Sequence, residues 1–208
     1  MEVRLELAVK RMIIPLLIVA GVVALVLAGC QATRAGYESA PYQVVRADGK
    51  FEVRDYPTLK LVETRMAKRG NGADGGFNRL FKFITGKNEA QQKISMTTPV
   101  FMSDTDSNAT MAFVMPANLK TGAVPKPTDS SVSVREQSAG RFAVLRFSGG
   151  RQAKNEAKQL ERLTTWMQAQ GLSSNALPVY GYFDPPWTPT FLRRNEVMLR
   201  TSSENQPR

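Results

Sequence analysis

The residue of this chain most clearly prepared for chemistry is its one cysteine. Cys30 follows Leu27-Ala28-Gly29, at the end of an apolar run that begins at Met12 and is broken only by Pro15 and Gly21. Lys10 and Arg11 stand before that run. A short positive region, an apolar core and small residues directly before a cysteine make up the processing site of a lipoprotein precursor. There the thiol takes the lipid and the cysteine becomes the new N-terminus. The run falls short of the roughly 20 residues of a spanning helix, so an uncleaved anchor is the weaker reading. Residues 1–29 are read as a signal peptide and Cys30 as the lipid attachment point. Gln31 stands where an inner-membrane retention signal would place aspartate, which points to the periplasmic face of the outer membrane in the cell envelope.

The rest of the chain is defined by what it lacks. It has no histidine. That excludes Ser-His and Cys-His nucleophilic pairs, and it excludes histidine-ligated zinc or haem iron. A single cysteine excludes an internal disulfide and a cysteine metal cluster. No pair of carboxylates stands out for acid–base work, and Asp184 and Glu196 are too isolated to argue from. No enzymatic activity is expected. The 28 basic residues exceed the 18 acidic ones, for a net charge of +10. They are scattered rather than blocked, and export takes the chain away from the nucleoid, so no nucleic-acid partner is expected.

The elements that would carry a site follow from the patterning. Residues 30–41 read as the lipidated cysteine and a small, polar tether. Tyr42–Val45 and Phe51–Arg54 read as a hairpin around Asp48-Gly49, and Leu59–Met66 as a further strand. A helix is expected from about Ala73 to Thr85, with Phe77, Leu80, Phe81 and Ile84 on one apolar, core-facing side and Gly86 as its stop. Lys93–Met102 and Met111–Met115 read as strands. Ser131–Arg135, Phe142–Phe147, a long helix from Gly149 to Gln170, and strands Pro178–Phe183 and Glu196–Arg200 complete the chain. Ala153, Ala157, Leu160, Leu163 and Met167 mark the inner face of that helix. The order strand-strand-helix-strand-strand occurs twice. Two such units would build a curved, mostly antiparallel sheet or barrel with two flanking helices, an α+β fold. Residues 42–200 form its one domain, and 201–208 read as a disordered tail.

Three segments carry a family resemblance. They are Tyr42-Gln-Val-Val with Phe51-Glu-Val-Arg-Asp-Tyr56; Phe77-Asn-Arg-Leu-Phe-Lys-Phe-Ile-Thr-Gly-Lys-Asn-Glu89 running on to Lys93-Ile-Ser-Met-Thr-Thr-Pro-Val100; and Asp184-Pro-Pro-Trp-Thr-Pro-Thr-Phe-Leu-Arg-Arg-Asn-Glu-Val197. Together they resemble the SOUL haem-binding protein family, over about Tyr42 to Arg200. The resemblance implies a distorted barrel of two similar halves, each with a helix against the sheet. It also implies binding of haem or another tetrapyrrole in a shallow apolar cleft between the first helix and the loop Tyr182–Pro189.

Such a ligand needs flat apolar walls and cations for two propionates. Phe83, Phe183 and Trp187 could supply walls, and Arg79 and Lys82 cations. Each has a plainer reading: Arg79 and Lys82 as a solvated helix face, Trp187 among its prolines as a plug at one end of the barrel. The cluster Arg193, Arg194, Asn195 and Glu196 fits a strand-edge hydrogen-bond network equally well. Some members of the family have been assigned a histidine ligand, which this chain lacks. Met66, Met96, Met102, Met111, Met115, Met198 or Tyr182 could reach iron, or the protein could leave it without a ligand. The function expected is a membrane-anchored carrier or buffer of haem or a related tetrapyrrole. The alternative is a module for another hydrophobic ligand or a protein partner, without haem.

Overall fold

The computed structural model describes residue 21 and residues 36–66, 75–104, 109–119 and 124–201. The rest of the expected signal peptide, Cys30 and residues 202–208 lie outside the described residues. In chain order the elements are β1 (Glu38–Ser39), β2 (Gln43–Asp48), β3 (Phe51–Tyr56), β4 (Leu59–Met66), α1 (Gly76–Ile84), β5 (Thr97–Thr98), β6 (Val100–Asp104), β7 (Ala109–Val114), β8 (Val132–Gln137), β9 (Gly140–Phe147), α2 (Ala153–Ala169), β10 (Val179–Tyr182), a short 3-10 turn (Thr190–Leu192) and β11 (Asn195–Arg200).

Nine strands form one antiparallel sheet in the order β2-β3-β9-β11-β10-β6-β7-β4-β8. The sheet stays open, with β2 and β8 as its edges, so it is the distorted form of a barrel rather than a closed one. The twofold repeat is present, and the halves are interleaved. Counting outward from the central β6–β10 pair, one direction reads β7, β4, β8 and the other β11, β9, β3. The first strand of each half therefore pairs with the second strand of the other, β3 with β9 and β8 with β4.

Local sequence sets the boundaries. The β2–β3 turn places Gly49 at φ +59, in the left-handed region that a two-residue hairpin loop requires. α1 begins at Gly76, later than its pattern suggests, and ends where the Thr85 hydroxyl donates to the Phe81 carbonyl at 2.8 Å. α2 begins at Ala153. Its inner face is Gln159, Leu163 and Met167, with Leu160 half-buried and Ala153 and Ala157 exposed. The expected strand Lys93–Met102 is interrupted, with β6 starting only after the cis Thr98–Pro99 bond.

The domain starts earlier than the sequence suggests. β1 pairs in parallel with β5, the Ala40 amide donates to the Thr98 carbonyl at 2.8 Å, and Ala40 is buried. The expected tether therefore gives way to folded chain by Glu38. At the other end Thr201 belongs to the domain too, buried and donating its amide to Arg141 at 2.9 Å.

Strand alternation divides the core in two. One sheet face packs beneath the helices. Val62, Met66, Met111 and Phe113 lie under α1, and Ala143, Leu145, Phe147, Val197 and Leu199 under α2. The other face turns inward, with Tyr56, Leu61, Phe101, Val114, Phe142, Val144 and Met198. Each fully buried side chain of this kind contributes about 1.5–3 kcal/mol of transfer free energy.

Candidate functional site

α1 shows two faces, divided differently from the expectation. Leu80, Phe83 and Ile84 are buried against β4 and β7. Phe77 and Phe81 are 40% and 45% exposed. Their rings stack at 5.9 Å with 15° between planes, and Phe77 meets the buried Phe113 edge-on at 5.3 Å. Sequence periodicity placed Phe77 and Phe81 in the core and left Phe83 free to form a wall. The helix is rotated so that Phe83 is sealed beneath it and the other two rings form the open aromatic surface.

The cations divide as well. Arg79 donates from Nε to Thr64 Oγ1 at 3.0 Å and from Nη2 to the Arg65 carbonyl at 2.7 Å. Thr64 Oγ1 in turn donates to the Ser131 carbonyl at 2.9 Å. Arg79 thus fastens α1 to β4. Lys82 lies exposed on the outer side of the helix.

Between the helices runs a floor made by the central strands. Phe113, Val100 and Tyr182 are register partners across β7, β6 and β10, and Met111, Met102 and Tyr180 form the next row. With strands about 4.8 Å apart, Phe113 and Tyr182 stand roughly 10 Å apart. Val100, Met102 and Tyr182 are half-buried. On the far side the Tyr182 hydroxyl donates to Glu156 of α2, whose carboxylate is 4.0 Å from Arg151. Burial first, and then the Glu156 carboxylate, push the Tyr182 hydroxyl well above the usual tyrosine range.

The loop after β10 holds the remaining expected residues. Phe183 is buried, with the Arg194 guanidinium 4.1 Å above its ring. Trp187 is 77% exposed and does not plug the barrel. Arg193 ties the loop to itself, donating to the carbonyl of Thr188 at 2.8 Å and to that of Pro186. The Gly149 amide donates to Thr190 at 3.0 Å, which docks the loop beside the start of α2.

A buried ion network lies on the inward face. Arg54 and Glu196 are both fully buried, and Glu52 nearly so. Arg54 Nη1 and Nη2 donate to Glu196 at 2.7 and 3.0 Å, Nε donates to Glu52 at 2.6 Å, and Nη1 also reaches the Tyr56 hydroxyl at 3.1 Å. Arg194 donates at 2.7 Å to Glu196 Oε1, the oxygen that Arg54 Nη2 also reaches, and Arg146 donates to Glu52. Burial drives the Glu196 carboxyl up, but hydrogen bonds and charge from Arg54, then from Arg194, outweigh it and hold the carboxyl below the ordinary range. The sequence signal was Glu52, Arg54 and Tyr56 at alternate positions of one strand, which brings all three to one face. Only Arg194 and Glu196 were singled out from sequence.

The chain matches the family model described as SOUL heme-binding protein over residues 37–200. It belongs to the SOUL haem-binding protein family. Human heme-binding protein 2 is 27% identical over 85% of this chain and 90% of its own length. Heme-binding protein 1 of Xenopus laevis is 25% identical over 71% of this chain and 81% of its own. Among solved structures the fold is shared with the C-terminal domain of EcmrR, at a TM-score of 0.54 and 11% identity over 77% of this chain and 98% of that one. A hydrolase from Listeria innocua shares it at a TM-score of 0.52 and 12% identity over 76% of this chain and 94% of that one. At those identities the likeness shows the fold alone.

The segments that distinguish this SOUL chain meet in space. Phe51–Tyr56 and Asp184–Val197 join through Arg54 and Glu196. Lys93–Val100 is pinned by Thr97 Oγ1, which donates to the Val114 carbonyl at 2.6 Å, and by Thr98 beside Ser39. For a haem the donor set is uneven. Met66, Met111, Met115 and Met198 are sealed in the core. Met96 and Met102 are half-buried against the core under α1, and the Tyr182 hydroxyl is engaged by Glu156. The described residues fit a flat macrocycle and an anionic substituent; none of these methionines, nor Tyr182, stands open as a ready axial ligand.

Proposed function

We propose that this SOUL-family chain binds haem or a related tetrapyrrole as a carrier or buffer in the cell envelope, held to the periplasmic face of the outer membrane through a lipid on Cys30. The observation that carries the reading is the stacked, solvent-facing Phe77–Phe81 pair beside the Phe113–Val100–Tyr182 floor. A porphyrin laid on those rings buries its apolar face, and Lys82 can reach a propionate. Bound there, the tetrapyrrole would supply whatever redox or light-absorbing chemistry follows; the chain itself supplies the surface and the charge. Membership in a family whose human relative is named heme-binding protein 2 supports the ligand class. The Leu27-Ala28-Gly29-Cys30 sequence supports the anchor. The test is titration of the chain with ferric haem and with metal-free protoporphyrin, following the Soret band. Saturable one-to-one binding that Phe77→Ser and Phe81→Ser each weaken supports it. A folded chain that binds neither ligand ends it.

A second reading is favoured by one observation. A groove of about 390 Å³ opens between the C-terminal half of α2 and the 172–178 segment, lined by Leu160, Met167, Leu172 and Leu199 among others. It suits a small apolar ligand other than haem, and Thr164→Arg, at an exposed position of the groove wall, would block that ligand without touching porphyrin binding.

A further inference from the structure

The exposed rings on the loop after β10 belong to neither groove. Trp187 is 77% exposed and Phe191 73%, and Pro186 and Pro189 beside them are exposed as well. The loop that presents them is stiff. Arg193 closes it onto the carbonyls of Thr188 and Pro186, the Thr188 amide donates to Pro185 at 3.0 Å, the Leu192 amide donates to Pro189 at 2.9 Å, and Thr188 is buried. Four backbone or guanidinium bonds hold two aromatic rings out in water, where exposure of apolar surface is unfavourable. The cations nearby in the chain are Arg193 and, where Gly149 joins Thr190, Arg151 and Lys154 at the start of α2.

We propose that this loop is a membrane-docking tip: Trp187 and Phe191 enter the interfacial layer of an anionic bilayer, while the exposed Lys154 at the start of α2 meets its headgroups. A tryptophan ring suits the polar–apolar boundary of a bilayer, and basic residues beside it add attraction to anionic lipid. The net charge of +10 has the matching sign. Two rings are too small a patch for a stable protein interface, which takes roughly 800 Å² a side. The Cys30 anchor, on which this proposal rests, would hold the domain at a bilayer.

The chain's two tryptophans make this measurable. Trp166 is held on α2 by its Asp48 hydrogen bond at 2.8 Å and by stacking on Phe51, and serves as an internal control. The full chain would be reconstituted in phosphatidylethanolamine–phosphatidylglycerol vesicles carrying lipids brominated near the headgroup. In Trp166→Phe, Trp187 emission should fall about twofold or more; in Trp187→Phe, Trp166 emission should hardly change. Flotation of the vesicles reports the anchor separately. A chain that floats with Trp187 unquenched overturns the loop proposal and leaves the anchor standing; one that does not float overturns both. Phe191→Ser should leave porphyrin titration unchanged. A loss there, together with absent quenching, would assign the loop to the tetrapyrrole instead.

Discussion

Arg54 and Glu196 lie 142 residues apart in the chain and meet through a fully buried bidentate contact of 2.7 and 3.0 Å. This contact joins the first half of the molecule to the second on the inward face of the sheet. Removing one partner leaves a buried charge without compensation, so Glu196→Gln should cost about 3–5 kcal/mol. The Arg141–Asp55 pair has comparable hydrogen-bond geometry, at 2.7 and 2.8 Å, but both side chains are more than a third exposed. Asp55→Asn should cost under about 1 kcal/mol. Urea denaturation of both variants checks the contrast; equal losses would show that burial does not set the value of the contact.

The same network dictates how stability varies with pH. Glu196 titrates below its ordinary 4.5 in the folded chain, so the stability it contributes is complete above that value and is lost as pH falls through the folded value. At the alkaline end Tyr56 is pushed up from 10.0 to about 12, chiefly by burial. The stability from its neutral hydroxyl is present below 10.0 and is lost as pH rises toward about 12. Melting temperature against pH should fall at both ends, and Glu196→Gln should flatten chiefly the acid side.

Helix α1 offers a direct test of which phenylalanines are core. Phe83→Ala opens a cavity beneath the helix and should cost about 3–5 kcal/mol. Phe81→Ala removes a ring that is nearly half exposed and should cost about 1 kcal/mol or less. Thermal denaturation with the ranking reversed would mean that the helix is rotated from the position described.

Because neither the candidate methionines nor Tyr182 stand open as a ready axial ligand, ferric haem and metal-free protoporphyrin should bind within about tenfold of each other, a difference of about 1.4 kcal/mol. Replacing both Phe77 and Phe81 by Ser should weaken both ligands by about tenfold or more. Lys82→Ala should act less, and its effect should shrink with added salt. Ferric haem binding a hundredfold tighter than metal-free porphyrin would reveal a protein ligand and direct the search to Met96.

How much of this was legible without coordinates can be argued from single residues. The helix from Phe77 was readable because its apolar positions recur at 3.6-residue spacing, yet the same pattern could not say which of Phe77, Phe81 and Phe83 would be sealed. Three aromatic rings on a nine-residue helix leave the rotation undetermined, and packing against β4 and β7 decides it. Arg79 looked like a cation for a ligand because sequence shows its charge and not its partners, the Thr64 hydroxyl and the Arg65 carbonyl.

By itself the sequence determined the α+β class, the twofold order of elements, the absence of histidine chemistry and the membership in the SOUL family. These depend on composition, on local periodicity and on ordered motifs, all of which act over short stretches of chain. Tertiary structure alone decided that β3 pairs with β9 and β8 with β4, that Arg54 finds Glu196, and that the ring of Trp187 faces water. Each of these depends on groups far apart in the chain competing for the same buried space, which no short stretch of sequence can settle.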